Sequence, residues 1–165
     1  MNKDSDKIII REYKIEDIEE ISTIVTRNLF EVNIKDYGEE MMKEHAKSFS
    51  KENILHSHIE KREKVYVAIK EGEVVGTAGI AKPWNNNPGE YWILTVFVKP
   101  ENHGQGIGKK LIEKVEEYAK SIEAKKLVIP ASITGNEFYY KLGYTYKDNK
   151  KELNEEQMYI MEKML

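Results

Sequence analysis

The apolar positions of the chain change period several times, and each change marks an element. The short β-branched run Ile8-Ile9-Ile10 within Lys7 to Tyr13 predicts a first strand. Ile18, Ile21, Ile24, Val25 and Leu29 then recur at helical spacing behind Asp17 and Glu20, a capping-box variant, which predicts a helix from Asp17 to Phe30. Between Glu39 and Arg62 there are two apolar stripes, Met41, Met42, Ala46 and Phe49, then Ile54, Leu55 and Ile59. They predict two short helices, with Ser50 placed to cap the second. Their charges suit a solvated layer packed on a sheet, and the same region is a candidate lining for a substrate opening.

The pattern then turns to strands. Lys64 to Lys70 and Glu73 to Ala81 flank the tight turn Glu71-Gly72 and read as a hairpin. Gly76 and Gly79 inside the second run predict a bulge or the close approach of another backbone. Turn formers fill Pro83 to Gly89, and a third antiparallel strand follows from Glu90 to Val98.

The most regular helix comes next. Ile107, Leu111, Ile112, Val115, Tyr118, Ala119 and Ile122 share one face, while Lys109, Lys110, Glu113, Lys114, Glu116, Glu117 and Lys120 lie opposite. Lys126 to Ile129 is a short apolar run behind it, so strand, helix and strand form a crossover whose strands are expected to be parallel. Thr134 and Glu137 form a second capping box, opening a helix with Phe138, Tyr139 and Leu142 that stops at Gly143. Tyr144 to Tyr146 and Gln157 to Leu165 supply two closing strands. The order β-α-α-β-β-β-α-β-α-β-β predicts an α/β (α+β) fold, a mixed sheet flanked by helices, in one domain spanning residues 1–165.

Composition narrows the class without changing this outline. Of 165 residues, 40% are hydrophobic and 33% charged, a globular balance, and no apolar run is long enough to cross a bilayer. The net charge of −3 is well mixed, which removes the basic footprint of a nucleic-acid binder. Cysteine is absent, which excludes disulfides, thiolate metal sites and a cysteine nucleophile. The four histidines, His45, His56, His58 and His103, have no metal-binding spacing, so no metal is expected. The polar start Met1 to Lys7 lacks the apolar core of a secretory signal and points to a cytoplasmic protein.

Chemistry concentrates where the third strand of that meander breaks into glycines. In Val96-Phe97-Val98-Lys99-Pro100-Glu101-Asn102-His103-Gly104-Gln105-Gly106-Ile107-Gly108-Lys109, three alternate glycines open the long helix. Such a terminus leaves backbone N–H groups unpaired and unshielded, and both they and the helix dipole favour an anion. Three glycines cost conformational entropy, which a mere connection does not require, so a phosphate cradle is the better reading. A dinucleotide fingerprint needs its third glycine where Lys109 stands. A P-loop needs four residues between its glycines and a Ser or Thr after the lysine, where Lys110 stands. NAD-type and ATP-type sites are both poor matches.

These residues, together with Phe138-Tyr139-Tyr140-Lys141-Leu142-Gly143-Tyr144 some thirty positions later, give the chain its resemblance to the GNAT superfamily of acyl-coenzyme A dependent N-acyltransferases. The resemblance covers nearly the whole chain. It implies a mainly antiparallel twisted sheet of about seven strands with a V-shaped splay between the fourth and fifth, Tyr91 to Val98 and Lys126 to Ile129. It implies that His103, Gly104, Gln105, Gly106, Ile107, Gly108 and Lys109 wrap the coenzyme A pyrophosphate, and that the main chain at Val96, Phe97 and Val98 pairs with the pantetheine arm. Ser132 joins that site where the family commonly has Asn, and His103 stands where it usually has Arg or Gln.

The implied activity is N-acetyl transfer from acetyl-CoA to a primary amine, by direct transfer in a ternary complex. Tyr139 matches the tyrosine that protonates the departing thiolate in many members. A thiol pKa near ~8.5 and a phenol pKa near ~10 make that exchange plausible. Glu90, at the start of the central strand, is the leading candidate for taking the proton of the amine, with Thr95 as an alternative that orients water. Trp84, Tyr91 and Trp92 are candidates for an aromatic acceptor pocket. The expected partners are acetyl-CoA and an amine acceptor, either a small molecule or a protein amine, with a homodimer as a candidate assembly and neither nucleic acid nor membrane. The alternative is a coenzyme A binding or sensing domain without catalysis.

Overall fold

The computed structural model describes residues 7–83 and 85–165. The readings of the polar start, residues 1–6, and of Trp84 lie outside the described residues. Among the described residues, β1 (Ile8–Glu12), β2 (Lys64–Lys70), β3 (Glu73–Ala81), β4 (Glu90–Val98), β5 (Lys126–Ala131), β6 (Thr145–Tyr146) and β7 (Tyr159–Met164) form one seven-stranded sheet. Its order is β1-β2-β3-β4-β5-β7-β6, with β4 and β5 the parallel pair and the other neighbours antiparallel. The crossover read from the sequence is therefore present, and it carries the longest helix, α5 (Ile107–Ser121).

Helices cover both faces, which is why β2 reads as a continuous apolar run rather than an alternation. Tyr66 and Ala68 point into the core shared with α5, where Ile107, Leu111, Ile112, Val115 and Ala119 are buried. Val65 and Val67 point the other way, against Ile21, Ile24 and Val25 of α1 (Ile18–Asn28). Each large aliphatic side chain so buried contributes about 1.5–3 kcal/mol. Gly76 lets α5 lie close, since a Cβ there would come within 3.0 Å of Leu111 Cδ1.

The second face carries α2 (Ile34–Tyr37), α3 (Glu39–Ser48) and α4 (Ile54–Ser57), and α6 (Asn136–Lys141) follows β5. Three local expectations change. Asp17 sits in a 3-10 turn before α1, and its carboxylate reaches back to accept from the Lys14 N–H at 2.7 Å and from Arg11. Ser50 meets the next helix with its carbonyl, which accepts from the N–H groups of Asn53 and Ile54. At α6 the Thr134 hydroxyl is drawn away to Asp36, and Ser132 Oγ accepts the Gly135 N–H instead, at 2.9 Å. At Asp17 and Thr134 the side chain is taken by another partner nearby.

One element has no signal in the pattern. After α1 the chain widens into a π-helical turn, Leu29–Asn33, before α2. Such turns insert an extra residue per turn and recur at functional sites. This one lies over the open end of the sheet.

Candidate active site

The parallel pairing of β4 with β5 stops early. It joins Glu90 to Lys126, Tyr91 to Leu127 and Trp92 to Val128, after which β4 runs on to Val98 and β5 to Ala131 unpaired with each other. A bulge in β4 accompanies the separation. Thr77 faces Phe97 and Gly79 faces Leu94, so Thr95 and Val96 both stand opposite Ala78. Thr95 takes φ 57°, a costly conformation for a β-branched residue. A bulge bends and twists its strand, which opens the V expected between these two strands.

Backbone direction follows from this register. Phe97 O lies beside Gly76 and the Lys99 N–H donates to Val75 O, so the groups of Val96 and Val98 face the open side. The Val98 carbonyl there accepts two side-chain donors, Asn28 Nδ2 and His103 Nε2, each at 2.8 Å. A carbonyl only accepts, so the His103 proton in this contact is on Nε2.

The glycine turn begins at that histidine. Gly104 and Gly106 have φ 76° and 79°, and a Cβ at either would meet nothing within 4 Å, so the concave side of the turn is open. Gly108 instead lies against Phe138, where a Cβ would come within 3.0 Å of the ring. Gly106 is the helix N-cap without a side-chain cap, and the first backbone donor taken up by the helix is the Lys110 N–H, bonded to Gly106 O at 3.1 Å. Among the described residues the N–H groups from Gly104 to Lys109 have no acceptor. The Gln105 side chain turns outward to Lys70, and Lys109 lies at the rim.

Two cavities meet in the splay. The first, about 350 Å³, is lined by Asn28, Val96, Phe97, Val98, His103, Gly104, Gly106, Ile107, Gly108, Lys109, Ser132 and Tyr139 among others. The second, about 370 Å³, opens towards the helical layer and takes in Met42, His45, Phe49, His58, Arg62 and Thr95. Asn33, Val96, Phe97, Ser132 and Tyr139 line both. The region from Glu39 to Arg62 thus does line an opening, as its stripes suggested.

Tyr139 stands at the junction, 8% exposed, with ring neighbours Phe138 and Tyr144 at centroid distances of 5.1 and 6.2 Å. Burial raises its phenol well above the usual range, so it stays protonated at neutral pH. Among the described residues its hydroxyl has no hydrogen-bond partner. Asn136 holds α6 in place: its amide donates to Ile133 O and its Oδ1 accepts from the Tyr146 hydroxyl, both at 2.6 Å. Tyr37 of α2 closes the other side, accepting from the Ile133 N–H at 2.9 Å and donating to Gln157 O at 2.8 Å.

The sheet does not bring Glu90 to this place. It sits at the paired end of β4, where its carboxylate accepts from Trp92 Nε1 at 2.9 Å and from Asn85 and Asn87, with Lys126 Nζ at 3.4 Å. Burial pushes this carboxyl up, but the bonds from Trp92, Asn87 and Asn85 and the charge of Lys126 outweigh it and hold the group below the usual range. It is a weak base turned away from both cavities. Trp92 is spent on Glu90, and Tyr91 packs on the core beside α5, so neither builds the aromatic pocket.

Asn28, Asn33, His58 and Arg62 are among the lining residues that the pattern alone missed. Asn28 lies on the buried face of α1 among aliphatics, and Arg62 lies in the charged run Glu60-Lys61-Arg62-Glu63-Lys64, which reads as a solvated surface. No spacing distinguishes either one. Among the described residues there is also no cluster of three metal-ligating side chains and no helix long and apolar enough to cross a membrane.

The model of the acetyltransferase (GNAT) family matches residues 24–144 of the chain. Among solved structures, the PaiA N-acetyltransferase of Thermoplasma acidophilum in complex with coenzyme A is similar, with TM-score 0.79 and 23% identity over 96% of this chain and 99% of that one. An acetyltransferase of the GNAT family from Staphylococcus aureus Mu50 has TM-score 0.72 and 22% identity, over 96% and 99% of the two chains. A GNAT family acetyltransferase of Brucella melitensis in complex with acetyl-CoA has TM-score 0.69 and 18% identity, over 96% and 88%. Curated proteins give no match.

Proposed function

The chain belongs to the GNAT acetyltransferase family, and from that premise we propose that it transfers the acetyl group of acetyl-CoA to a primary amine by direct attack in a ternary complex. The observation that carries this reading is the meeting of the two cavities at Tyr139, inside the splay. One cavity has the character of an anion cradle and the other is open to an acceptor. Their junction is where the two substrates would meet.

The residues suit the coenzyme. Unpaired N–H groups from Gly104 to Lys109, at a helix N-terminus, match a pyrophosphate, and the open space over Gly104 and Gly106 lets it approach the backbone. Val96 and the Val98 N–H offer a strand edge to the amide-bearing pantetheine arm, and Phe97 and Ser132 lie along its course. Two of the similar structures hold coenzyme A or acetyl-CoA, which is consistent with this use. His103 acts here by holding the Val98 carbonyl, and its contact with phosphate is not required.

In the reaction the amine nitrogen attacks the thioester carbonyl, the C–N bond forms and the C–S bond breaks. The amine loses one proton and the sulfur gains one. Tyr139, kept protonated by burial, donates its hydrogen bond to the sulfur as thiolate charge develops. No Asp or Glu lines the acceptor cavity among the described residues, which leaves water or the His45 imidazole, rather than Glu90, to take the amine proton.

The test is a screen of primary amines with acetyl-CoA, read as thiol release. Release with one chemical class and not with the others is expected. Tight coenzyme A binding without release from small amines, amino acids or peptides would overturn catalysis and leave a coenzyme A binding domain.

A further inference from the structure

Arg62 enters the acceptor cavity without an acidic partner. Its guanidinium is largely buried, and burial lowers it to about 10, so it keeps its charge at neutral pH. Nη2 donates to Thr95 Oγ1 at 3.0 Å and lies 3.3 Å from His58 Nδ1. Nε is buried with no partner, and among the described residues Nη1 makes no hydrogen bond either. A buried cation without a carboxylate is expensive, and a fold keeps one where a ligand supplies the missing charge.

The surroundings are built to hold it. The stem crosses β3 over Gly79, where a Cβ would come within 3.2 Å of Arg62 Cδ. The bulge of β4 brings Thr95 up to the guanidinium at the expense of a strained φ. His58, stacked on Phe49 at 3.7 Å, is pushed down to about 4 by burial and then by Arg62 and Lys61, so it is neutral. Its Nε2 donates to Ser48 Oγ at 3.1 Å, and Ser48 donates to His45 O at 3.0 Å.

Every polar bond in this chain therefore runs away from Arg62, which leaves two of its donors unused: Nη1, and the Thr95 hydroxyl, whose oxygen already accepts. The other titratable groups of the lining are His45, Tyr37 and Tyr139, and none is a carboxylate. A polycationic acceptor would meet a positive charge and no carboxylate. A carboxylate would meet the opposite charge and two free donors, a charge-assisted match.

Resting on the acetyltransferase reading, we propose that the acceptor amine also carries a carboxylate and that Arg62 and Thr95 bind it in the second cavity. The substrate class is then amino acids and other amino carboxylates, rather than polyamines. Arg62 and Thr95 select the acceptor without taking part in the bond changes.

The test compares amino carboxylates of increasing amine-to-carboxylate length, their methyl esters, and spermidine, as acceptors for acetyl-CoA. Each carboxylate is also titrated calorimetrically into the protein saturated with coenzyme A. The free acid should exceed its ester by about a hundredfold in kcat/KM. In Arg62→Met that ratio should collapse towards one through KM, with coenzyme A affinity unchanged. Arg62→Lys and Thr95→Val give intermediate losses, and they keep the test valid if Arg62→Met fails to fold. Esters or spermidine used as well as acids, or an acid preference that survives these substitutions, would overturn the proposal. Thiol release from no amine, with Arg62-dependent carboxylate binding intact, would sink catalysis and leave the carboxylate site standing. Absence of both turnover and carboxylate binding would sink the two together.

Discussion

His103 Nε2 lies 2.8 Å from the carbonyl oxygen of Val98, so the residue at the head of the glycine turn grips the splayed strand. Asn28 holds the same oxygen from the other side. The His103 side chain thus ties the glycine turn to the strand edge. His103→Ala should raise KM for acetyl-CoA about fivefold, the value of one neutral hydrogen bond of about 1 kcal/mol, and leave kcat nearly unchanged. Steady-state kinetics with a saturating acceptor would check this, and a large fall in kcat would count against a positioning role.

Tyr139 is the only residue placed at the leaving sulfur in the proposed reaction. Tyr139→Phe should lower kcat by about 10²–10³, the scale of a lost general acid, while coenzyme A binding measured by calorimetry stays within about threefold. Wild-type turnover in that variant would remove the phenol from the mechanism.

Glu90 provides a contrasting case. Its carboxylate is held by Trp92, Asn85, Asn87 and Lys126, away from the junction. Glu90→Gln should leave kcat/KM within about twofold while lowering the melting temperature, because it weakens bonds to a charged acceptor, worth about 1.5–3 kcal/mol each. A drop in kcat without a loss of stability would restore it as a base.

Asp17 ties the first strand to the first helix. The hydrogen bond from Arg11 comes first among the causes that hold its carboxyl below the usual range; the bond from the Lys14 N–H adds to it, and burial opposes both. A depressed folded-state pKa stabilises the protein fully above the unfolded value near ~3.9, and the contribution is lost as pH falls through the folded value. Asp17→Asn should cost about 1.5–3 kcal/mol in urea unfolding at pH 7. The gap from wild type should close as the solution is acidified below about pH 4.

How much of this was legible beforehand depended on whether the signal was local. Periodicity placed β2, β3 and β4 at their observed limits, because an apolar run bounded by turn residues carries its own boundaries. The glycine turn was legible as well, since φ above zero at Gly104 and Gly106 is a property of those residues themselves. Caps were less secure. Thr134 had the right neighbour in sequence and a better one, Asp36, in space.

The sequence by itself determined the crossover, the glycine turn and the tyrosine helix, all of them runs in which adjacent residues act together. Only the tertiary structure decided which side chains share the cavity at Tyr139. Glu90 and Val98 belong to one strand, yet the first lies in the paired end of the sheet and the second in the open end, because β4 and β5 separate after three register pairs. Arg62 reads as one charge among five in a row, yet it alone turns under Thr95, because Gly79 leaves room for its stem and the bulge re-aims the partner strand. Burial and distance are set by the packing of segments far apart in the chain, and they separated a solvated arginine from one that lines a cavity.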